Sequence, residues 1–347
     1  MGSLLSYSGL STKIRAMQSK LIGEKQYQEI AQMDSVVQIV AYLKKQPGFA
    51  KLWADLDENS LHRGDVEKLL VHTIHQNFTK LYRFANPRQR TFMALYFKRY
   101  EISVLKDCLR KVFDQGKAEL DLSLFQEFLT AIPSWIWKKI SSSSTIEELV
   151  NHLQGSEYYE PLRKLGNDCQ PRIFDYGMAL DQYYFANIWS VKEKLFQKRD
   201  LEEITRAYGN KFDMLNLQWI YRSKKYYHMA PADTYALLIP VHYRLSKKEI
   251  SALVEAVDEE EISEGFWIPP ITKNSFPELS PEKLEELYNL NLKTILETES
   301  RKYPHSVIMI YSYFYHKEHE VNRLTTAVEC VRYGLAPAQI LEYIHKT

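Results

Sequence analysis

Cysteine and glycine are scarce in this sequence of 347 residues, and adjacent aspartates are absent. Cys108, Cys169 and Cys330 are its three cysteines, and their wide spacing excludes a CxxC metal or redox motif. The 12 glycines disfavour a turn-rich β architecture and favour long helices. No two aspartates are adjacent, which excludes the DDxxD cluster that binds Mg²⁺ in helical enzymes acting on diphosphates.

Motifs for nucleotides and covalent catalysis are missing as well. The Gly116-Lys117 pair is followed by Ala118 and has no glycine five residues earlier, so it is not a phosphate-binding loop. No GxGxxG or GxSxG occurs, which excludes a dinucleotide fingerprint and a nucleophile elbow. We therefore predict no catalytic residue, no cofactor and no direct nucleotide contact.

Charge and hydropathy exclude two further classes of protein. The formal net charge is +1, from 45 basic and 44 acidic residues, so no global basic field predicts nucleic-acid binding. A membrane-spanning helix needs about 20 continuous apolar residues. The most apolar stretches, Tyr235–Val241 and Val307–Tyr315, are far shorter. Any membrane attachment is expected to go through partner proteins.

The histidines do not form a recognisable metal site. His72 and His75 are three residues apart, and His316 and His319 also are. Zinc on a helix is typically held by HExxH, in which the histidines are four apart with a glutamate between them. We therefore predict no metal, and we interpret the acidic run Asp258–Glu261 as a solvated helix end.

Aromatic residues are abundant, with 24 tyrosines that often occur in pairs. A tyrosine buries a large ring while its hydroxyl keeps a polar partner, so it suits both helix packing and protein interfaces. We interpret most of them as packing residues and some exposed ones as part of a docking surface.

Helix starts recur along the chain. Ser11 is predicted to cap a first helix, and a long helix is predicted after Pro87. Capping boxes, in which a Ser or Thr is followed three residues later by Glu or Gln, open three further helices. They begin at Ser35, Thr145 and Ser246, and each is followed by an apolar stripe.

A second pattern repeats with nearly the same period. Glu101, Asp213 and Glu320 each start an acidic-apolar pair, at intervals of 112 and 107 residues, and a leucine follows the apolar member three residues later. Two patterns that share a period of about 110 residues predict a triplicated, domain-sized helical unit. The expected domains are 1–115, 116–230 and 231–347.

Several segments together resemble one family of rotor proteins, the C subunits of A/V-type rotary ATPases, which are known by the letter d in vacuolar enzymes. The residues that carry the resemblance are Ile14-Arg15-Ala16-Met17-Gln18-Ser19-Lys20-Leu21, Asp213-Met214-Leu215-Asn216-Leu217, Glu320-Val321-Asn322-Arg323-Leu324 and Arg332-Tyr333-Gly334-Leu335-Ala336-Pro337-Ala338-Gln339-Ile340. In the middle copy of the acidic pattern, Asn216 follows Asp213 by three residues. The other two copies do not keep this asparagine, because Val104 takes its place after Glu101 and Asn322 lies one residue too early after Glu320.

The resemblance implies an all-α funnel of three similar helical domains around a pseudo-threefold axis. It implies a non-catalytic central-stalk subunit that links the axle subunits of the soluble head to the membrane proteolipid ring and transmits torque for proton or sodium transport. Its place would be the cytoplasmic face of a membrane, within the complex. We hypothesise that Glu101, Asp213 and Glu320 are equivalent structural acids, and that Arg15, Arg222 and Arg332 contact partner subunits.

Two alternatives stay open at this point. An all-helical scaffold or adaptor unrelated to rotary ATPases would have the same composition and would bind proteins through its tyrosine-rich faces. A helical enzyme with an unrecognised site would require a deep polar pocket with converging acids.

Overall fold

A computed structural model describes residues 2–58, 61, 63–118, 132–167, 171–256 and 281–347. Every regular element within these residues is helical, which confirms the predicted all-α class. None of the described helices is long and apolar enough to span a bilayer. Cys169 and the acidic run Asp258–Glu261 lie outside the described residues.

The described chain contains fifteen α-helices, and a 3₁₀ turn at Lys164–Asn167 follows the eighth. In chain order they are α1 (Gly2–Gln18), α2 (Glu24–Ile30), α3 (Val36–Lys44), α4 (Arg63–Phe84), α5 (Pro87–Gln115), α6 (Ser134–Ile140), α7 (Ile146–His152), α8 (Tyr159–Arg163), α9 (Ile173–Leu195), α10 (Lys198–Lys225), α11 (Pro231–Leu237), α12 (Lys247–Glu255), α13 (Pro281–Lys302), α14 (Ile308–Arg332) and α15 (Pro337–Lys346).

The three predicted capping residues start helices as expected. The side chains of Ser35, Thr145 and Ser246 accept the backbone N–H three residues later, at 3.3, 3.1 and 3.3 Å. Each therefore satisfies one amide that a helix start leaves unpaired, and α3, α7 and α12 begin at the next residue. The long helix predicted after Pro87 is also confirmed, because α5 begins at that residue.

The predicted start of the first helix was wrong. Helix α1 begins at Gly2, so Ser11 lies inside it and is buried. The reason is that the apolar stripe extends towards the N-terminus through Tyr7 and Leu10, which are buried together with Ile14. Burial of this longer stripe outweighs the local preference of serine for a cap position.

The described chain divides into two compact units. Unit 1 comprises residues 2–93 and 300–347, and unit 2 comprises the described residues between 94 and 299. The first and last parts of the sequence therefore belong to one unit. The three-domain division and the pseudo-threefold arrangement stay predictions.

Helix α14 is the centre of unit 1. It packs against α1, α3, α4 and α15, and its side chains Tyr311, Tyr313 and Phe314 are almost completely buried. It ends in a Schellman motif, in which the N–H of Leu335 donates to the carbonyl of Cys330 at 3.1 Å. Gly334 supplies the left-handed backbone with φ of 67°. The turn lets α15 fold back onto α14.

Unit 2 is built around α10, which packs against α9, α11 and α12. One apolar cluster joins α10 to α12 and α13, and its buried members include Leu217, Ile250, Leu253 and Leu284. Gly209 of α10 allows a close approach, because a Cβ at that position would lie 2.7 Å from Cδ1 of Tyr243. The segment that carries Tyr243 therefore lies directly on the helix backbone.

Candidate functional site: three buried acids

Glu101, Asp213 and Glu320 lie in the middle or second half of the long helices α5, α10 and α14. Their exposed fractions are 2%, 1% and 4%, so all three carboxyl groups are removed from solvent. A buried carboxylate is strongly unfavourable unless hydrogen-bond donors or a cation compensate it. The hydrogen-bond donors around each carboxyl group therefore show which parts of the fold the acid holds together.

The Glu101 carboxylate accepts two hydrogen bonds within unit 2. Its Oε1 accepts the backbone N–H of Ile132 at 2.9 Å, and its Oε2 accepts the hydroxyl of Tyr158 at 2.7 Å. Burial raises the pKa of Glu101 to about 7, although these two hydrogen bonds oppose the shift. Lys98, one turn earlier, binds Oε2 of Glu157 at 2.7 Å instead of Glu101.

The Asp213 carboxylate accepts a row of three backbone amides, also within unit 2. Its Oδ2 accepts the N–H groups of Arg244 at 2.7 Å and Leu245 at 3.3 Å, and its Oδ1 accepts that of Tyr243 at 3.3 Å. Burial raises the pKa of Asp213, and the three amides oppose that increase because they favour the charged form.

Asn216 fixes the same loop from the next turn of α10. Its Oδ1 accepts the N–H of Ile239 at 2.8 Å, and its Nδ2 donates to the carbonyl of Ile239 at 3.1 Å. Asn216 is fully buried, so its amide completes the hydrogen bonding of one loop residue. This gives a physical role to the asparagine of the middle copy, which is not kept at the same offset from Glu101 or Glu320.

The Glu320 carboxylate combines an amide with a buried cation in unit 1. Its Oε1 accepts the backbone N–H of Ile22 at 2.7 Å, and its Oε2 accepts a hydrogen bond from Nζ of Lys317. The side chains of Lys317 and Glu320 are only 2% and 3% exposed, and the ammonium group of Lys317 lies 4.6 Å from the ring centroid of Phe49. This is a buried, charge-assisted pair.

A neighbouring ion pair strengthens the same junction. Arg323 of α14 donates to both carboxylate oxygens of Glu24, at 2.8 and 3.2 Å, and His345 lies 3.1 Å from Glu24. The hydrogen bond from Arg323 lowers the pKa of Glu24 to about 2. The guanidinium of Arg323 also lies 3.9 Å from the ring centroid of Tyr27. Together these contacts hold α2 against α14.

One geometric feature is common to the three acids. Each accepts the N–H of an apolar residue that lies two positions before the first residue of a short helix: Ile22 before α2, Ile132 before α6 and Leu245 before α12. The acid thus attaches a long helix to the entrance of a short one. A sequence signal for two of these contacts was available, because Ile22 and Ile132 each precede a capping residue, Ser35 or Thr145, by 13 positions.

The predicted interface arginines have different surroundings. Arg15 is an exposed residue of α1. Arg222 lies 3.8 Å from Glu285, with 43% of its side chain exposed. Arg332 donates to Glu329 at 3.2 Å. Their contacts with partner subunits stay predictions.

Sequence reasoning missed Lys317 and Tyr158, which supply the side-chain donors to Glu320 and Glu101. A Lys-x-x-Glu spacing, typical of helix ion pairs, precedes both acids and could have identified the lysine. The spacing alone could not show that Lys98 binds another residue.

His72 and His75 lie on helix α4, and His316 and His319 lie on helix α14. His75 is buried, and burial together with His72 lowers its pKa to about 3. The ring of His319 stacks on that of Tyr315 at 6.4 Å. Within the part of the chain that the structure describes, no group of three or more His, Cys, Asp or Glu side chains is arranged to hold a metal ion.

The sequence was compared with known protein families and with individual proteins. A sequence model of the ATP synthase (C/AC39) subunit matches residues 10–343. The C subunit of the A-type ATP synthase of Methanosarcina mazei is 25% identical over 350 residues, which cover 98% of this chain and 92% of that protein. The proteins of the same name from Pyrococcus abyssi and Archaeoglobus fulgidus are 21% and 22% identical, covering 97% and 98% of this chain and 90% and 96% of their own lengths.

The family match spans almost the whole sequence, including all three acids and the helices that carry them. The resemblance noted from the sequence is therefore confirmed. The chain belongs to the ATP synthase (C/AC39) subunit family.

Proposed function

We propose that this chain is a non-catalytic central-stalk subunit that links the axle of the soluble ATPase head to the membrane proteolipid ring. In this role it transmits torque that couples the head to proton or sodium transport. It would lie on the cytoplasmic face of the membrane and contact the bilayer through its partners. The relatives are named as C subunits of A-type ATP synthases, which supports a place within such a complex.

The observation that carries this proposal is the shared use of Glu101, Asp213 and Glu320. Each of these buried acids attaches a long helix to the entrance of a short helix through backbone amides. Such bonds resist shear between neighbouring helices, and a well-packed helical interior has low compressibility. A stiff body of this kind suits a coupling that acts through its shape.

The same observation supports a triplicated architecture. The three acids are spaced by 112 and 107 residues, and the amide donors follow the first two acids along the chain. The donor to the third acid, Ile22, comes from the beginning of the chain. A ring of three modules closed by the two ends of the sequence would have this connectivity, so we propose the pseudo-threefold funnel on this basis.

Co-purification from detergent-solubilised membranes tests the function. A tagged chain should bring down the subunits of the ATPase head and the proteolipid ring together, in a complex of defined native mass. Charge reversal of Arg15, Arg222 or Arg332 should then reduce recovery of one neighbour. Recovery of the chain with unrelated proteins and without ring or axle subunits would favour the scaffold alternative and refute the proposed linkage.

A further inference from the structure

Two segments of unit 1 contain basic residues and no acids. Neither residues 1–23 nor residues 68–93 contain Asp or Glu, although the whole chain is nearly neutral. These segments lie against each other. The Nδ2 of Asn86 donates to Oγ of Ser6 at 2.8 Å, and the Nε2 of Gln89 donates to the carbonyl of Ser6 at 3.1 Å. The fold therefore concentrates positive charge that is evenly balanced in the sequence as a whole.

Lys13 on α1 and Lys20 just after it lie on the same side of the chain. Ser6, Lys13 and Lys20 are separated by seven residues, so they follow one side of the helix and of the turn that continues it. Ser6 contacts the turn between α4 and α5, as above. The ammonium group of Lys13 lies 5.3 Å from the ring centroid of Phe84, which is one helical turn after Lys80 on α4.

A third segment brings Lys51 to the same place. Gly48 approaches the end of α1 so closely that a Cβ there would lie 2.8 Å from the carbonyl oxygen of Lys20. The pKa of Lys80 is lowered, first by burial and then by the positive charges of Lys13, Lys317, Lys20 and Lys51. Lys317 is neutralised by Glu320. The other four, Lys13, Lys20, Lys51 and Lys80, are called the lysine cluster below.

The described chain offers the lysine cluster no carboxylate. Lys80 donates to Oδ1 of Asn77 at 3.4 Å and Lys13 lies over Phe84, but within the described residues none of the four ammonium groups forms an ion pair. Like charges held close together repel one another, and an anionic surface placed against them relieves that repulsion.

A protein surface fits this cluster better than a lipid surface. A helix that binds a membrane interface needs a free apolar face. The apolar side chains Tyr7, Leu10, Ile14 and Met17 of α1 are instead buried inside unit 1. Phe84, exposed by 57% beside Lys13, adds an aromatic ring of the kind enriched at protein interfaces.

We propose that the lysine cluster binds a carboxylate-rich surface of another protein subunit of the complex. The cluster neutralises acidic side chains of that neighbour, and Phe84 packs against it. This proposal rests on the proposed function only in that the chain must belong to a complex of several subunits. It does not depend on which subunit is the neighbour. Co-purification of the chain without these substitutions tests the axle–ring linkage, whereas coupling and the lysine variants test the cluster. A failure of one proposal can therefore be told apart from a failure of the other.

Zero-length carbodiimide coupling in the purified membrane complex tests the contact directly, because it joins an amine to a carboxylate only where the two touch. Mass spectrometry should find Lys20 or Lys51 joined to an Asp or Glu of another subunit. The internal ion pair between Lys44 and Glu58, at 2.8 Å, should be coupled in the same sample and reports that the reaction worked. An internal product without any intersubunit product from the cluster would overturn the proposal.

Variants provide the second measurement. Lys20 and Lys51 are exposed, so the double variant Lys20→Glu/Lys51→Glu is expected to fold and to lose retention in the complex on the order of tenfold. The charge-preserving Lys20→Arg/Lys51→Arg should be retained normally. Lys247→Glu/Lys248→Glu changes the net charge equally, at two exposed positions of α12, and is the matched control.

Equal loss of retention in the control would overturn the proposal, because net charge alone would then explain the effect. A lipid ligand is a separate outcome. If phosphatidylglycerol vesicles protect Lys20 and Lys51 of the full chain from amine labelling, and coupling in the complex finds no carboxylate neighbour, the proposal is likewise overturned.

Discussion

Two regions of the molecule hold a short helix against a long one with the same type of residue but with different electrostatics. In unit 1, Glu320 accepts a hydrogen bond from the buried Lys317. In unit 2, the lysine at the same offset, Lys98, binds Glu157 at a half-buried position, and Glu101 meets a tyrosine hydroxyl instead. The comparison teaches that the backbone amide is the shared element of the junction, whereas the side-chain donor differs.

This difference changes how each acid responds to its surroundings. Burial without a hydrogen-bonded cation raises the pKa of Glu101 to about 7, so this carboxyl group titrates near neutral pH. Glu320 depends on Lys317 for its compensation, and removal of either partner would leave the other as a buried charge. Three substitutions, taken from the largest expected effect to the smallest, test the comparison.

Replacing Lys317 by methionine should have the largest effect. The change leaves the Glu320 carboxylate buried without its cation, which is expected to lower the free energy of unfolding by about 3–5 kcal/mol. Urea unfolding measures the loss, and hydrogen exchange of the Ile22 amide should accelerate because this amide donates to Glu320.

Lys98→Met is the matched control, since Lys98 and Glu157 are 20% and 27% exposed and such a pair contributes about 1 kcal/mol or less. Equal losses in the two variants would show that the buried and half-buried lysines do not differ in the proposed way.

Glu101 should make the stability of unit 2 depend on pH. The folded pKa of about 7 lies above the ordinary value of 4.5, so the native state keeps a proton that the unfolded chain releases between these pH values. The contribution of this group to stability therefore falls as pH rises from about 4.5 to 7, by about 3 kcal/mol. Glu101→Gln removes the titration and retains an acceptor for the Ile132 amide.

The measurement is the free energy of unfolding at pH 5 and pH 8. The decrease between these values should be smaller in Glu101→Gln than in the original chain, and Glu101→Gln should be the more stable protein at pH 8. Glu160→Gln, a change at an exposed acid paired with Arg163, serves as the control and should leave the profile close to that of the original. If the free energy of unfolding falls by the same amount between pH 5 and pH 8 in the original chain and in both variants, Glu101 does not cause the pH dependence.

Gly209→Ala tests the close packing that distinguishes the Asp213 site from the other two. Position 209 precedes Asp213 by one turn, and the corresponding positions before Glu101 and Glu320 hold Phe97 and His316. An added Cβ would overlap the Tyr243 ring, so overpacking should lower stability by about 2 kcal/mol. In an exposed helix the same change would raise stability by about 1 kcal/mol.

Thermal unfolding measures the sign of this effect, with Gly177→Ala of α9 as the control. A Cβ at Gly177 meets its nearest atom, of Lys106, at 3.8 Å, which is ordinary contact. Gly177→Ala should therefore leave stability unchanged or raise it. A stabilised Gly209→Ala protein would mean that the segment bearing Tyr243 does not lie on α10 as described.

Local sequence signals predicted the starts of several helices correctly. Capping at Ser35, Thr145 and Ser246 depends on a side chain and an amide three residues apart, and the helix after Pro87 depends on the fixed φ of proline. Ser11 failed as a cap because the buried stripe of α1 continues beyond it. The spacing of the three acids could also be found from the sequence.

The partners of those acids could not be found in the same way. Their main donors are backbone amides, which every residue except proline carries, and the donor to Glu320 is 298 residues away in the chain. Nor does the sequence distinguish Lys317 from Lys98, since both precede an acid by three residues. Which lysine bonds its own helix neighbour depends on whether another carboxylate is within reach in the folded unit.

By itself, therefore, the sequence determined the all-helical class, the starts of the capped helices and the spacing of the buried acids. These features follow from interactions among residues a few positions apart, whose geometry the helix itself sets. Only the tertiary structure decided that each acid holds the entrance of a short helix, and that Lys51 joins the three cluster lysines of the two acid-free segments. Both outcomes depend on which distant segments are packed in contact, and burial then gives those contacts their electrostatic strength.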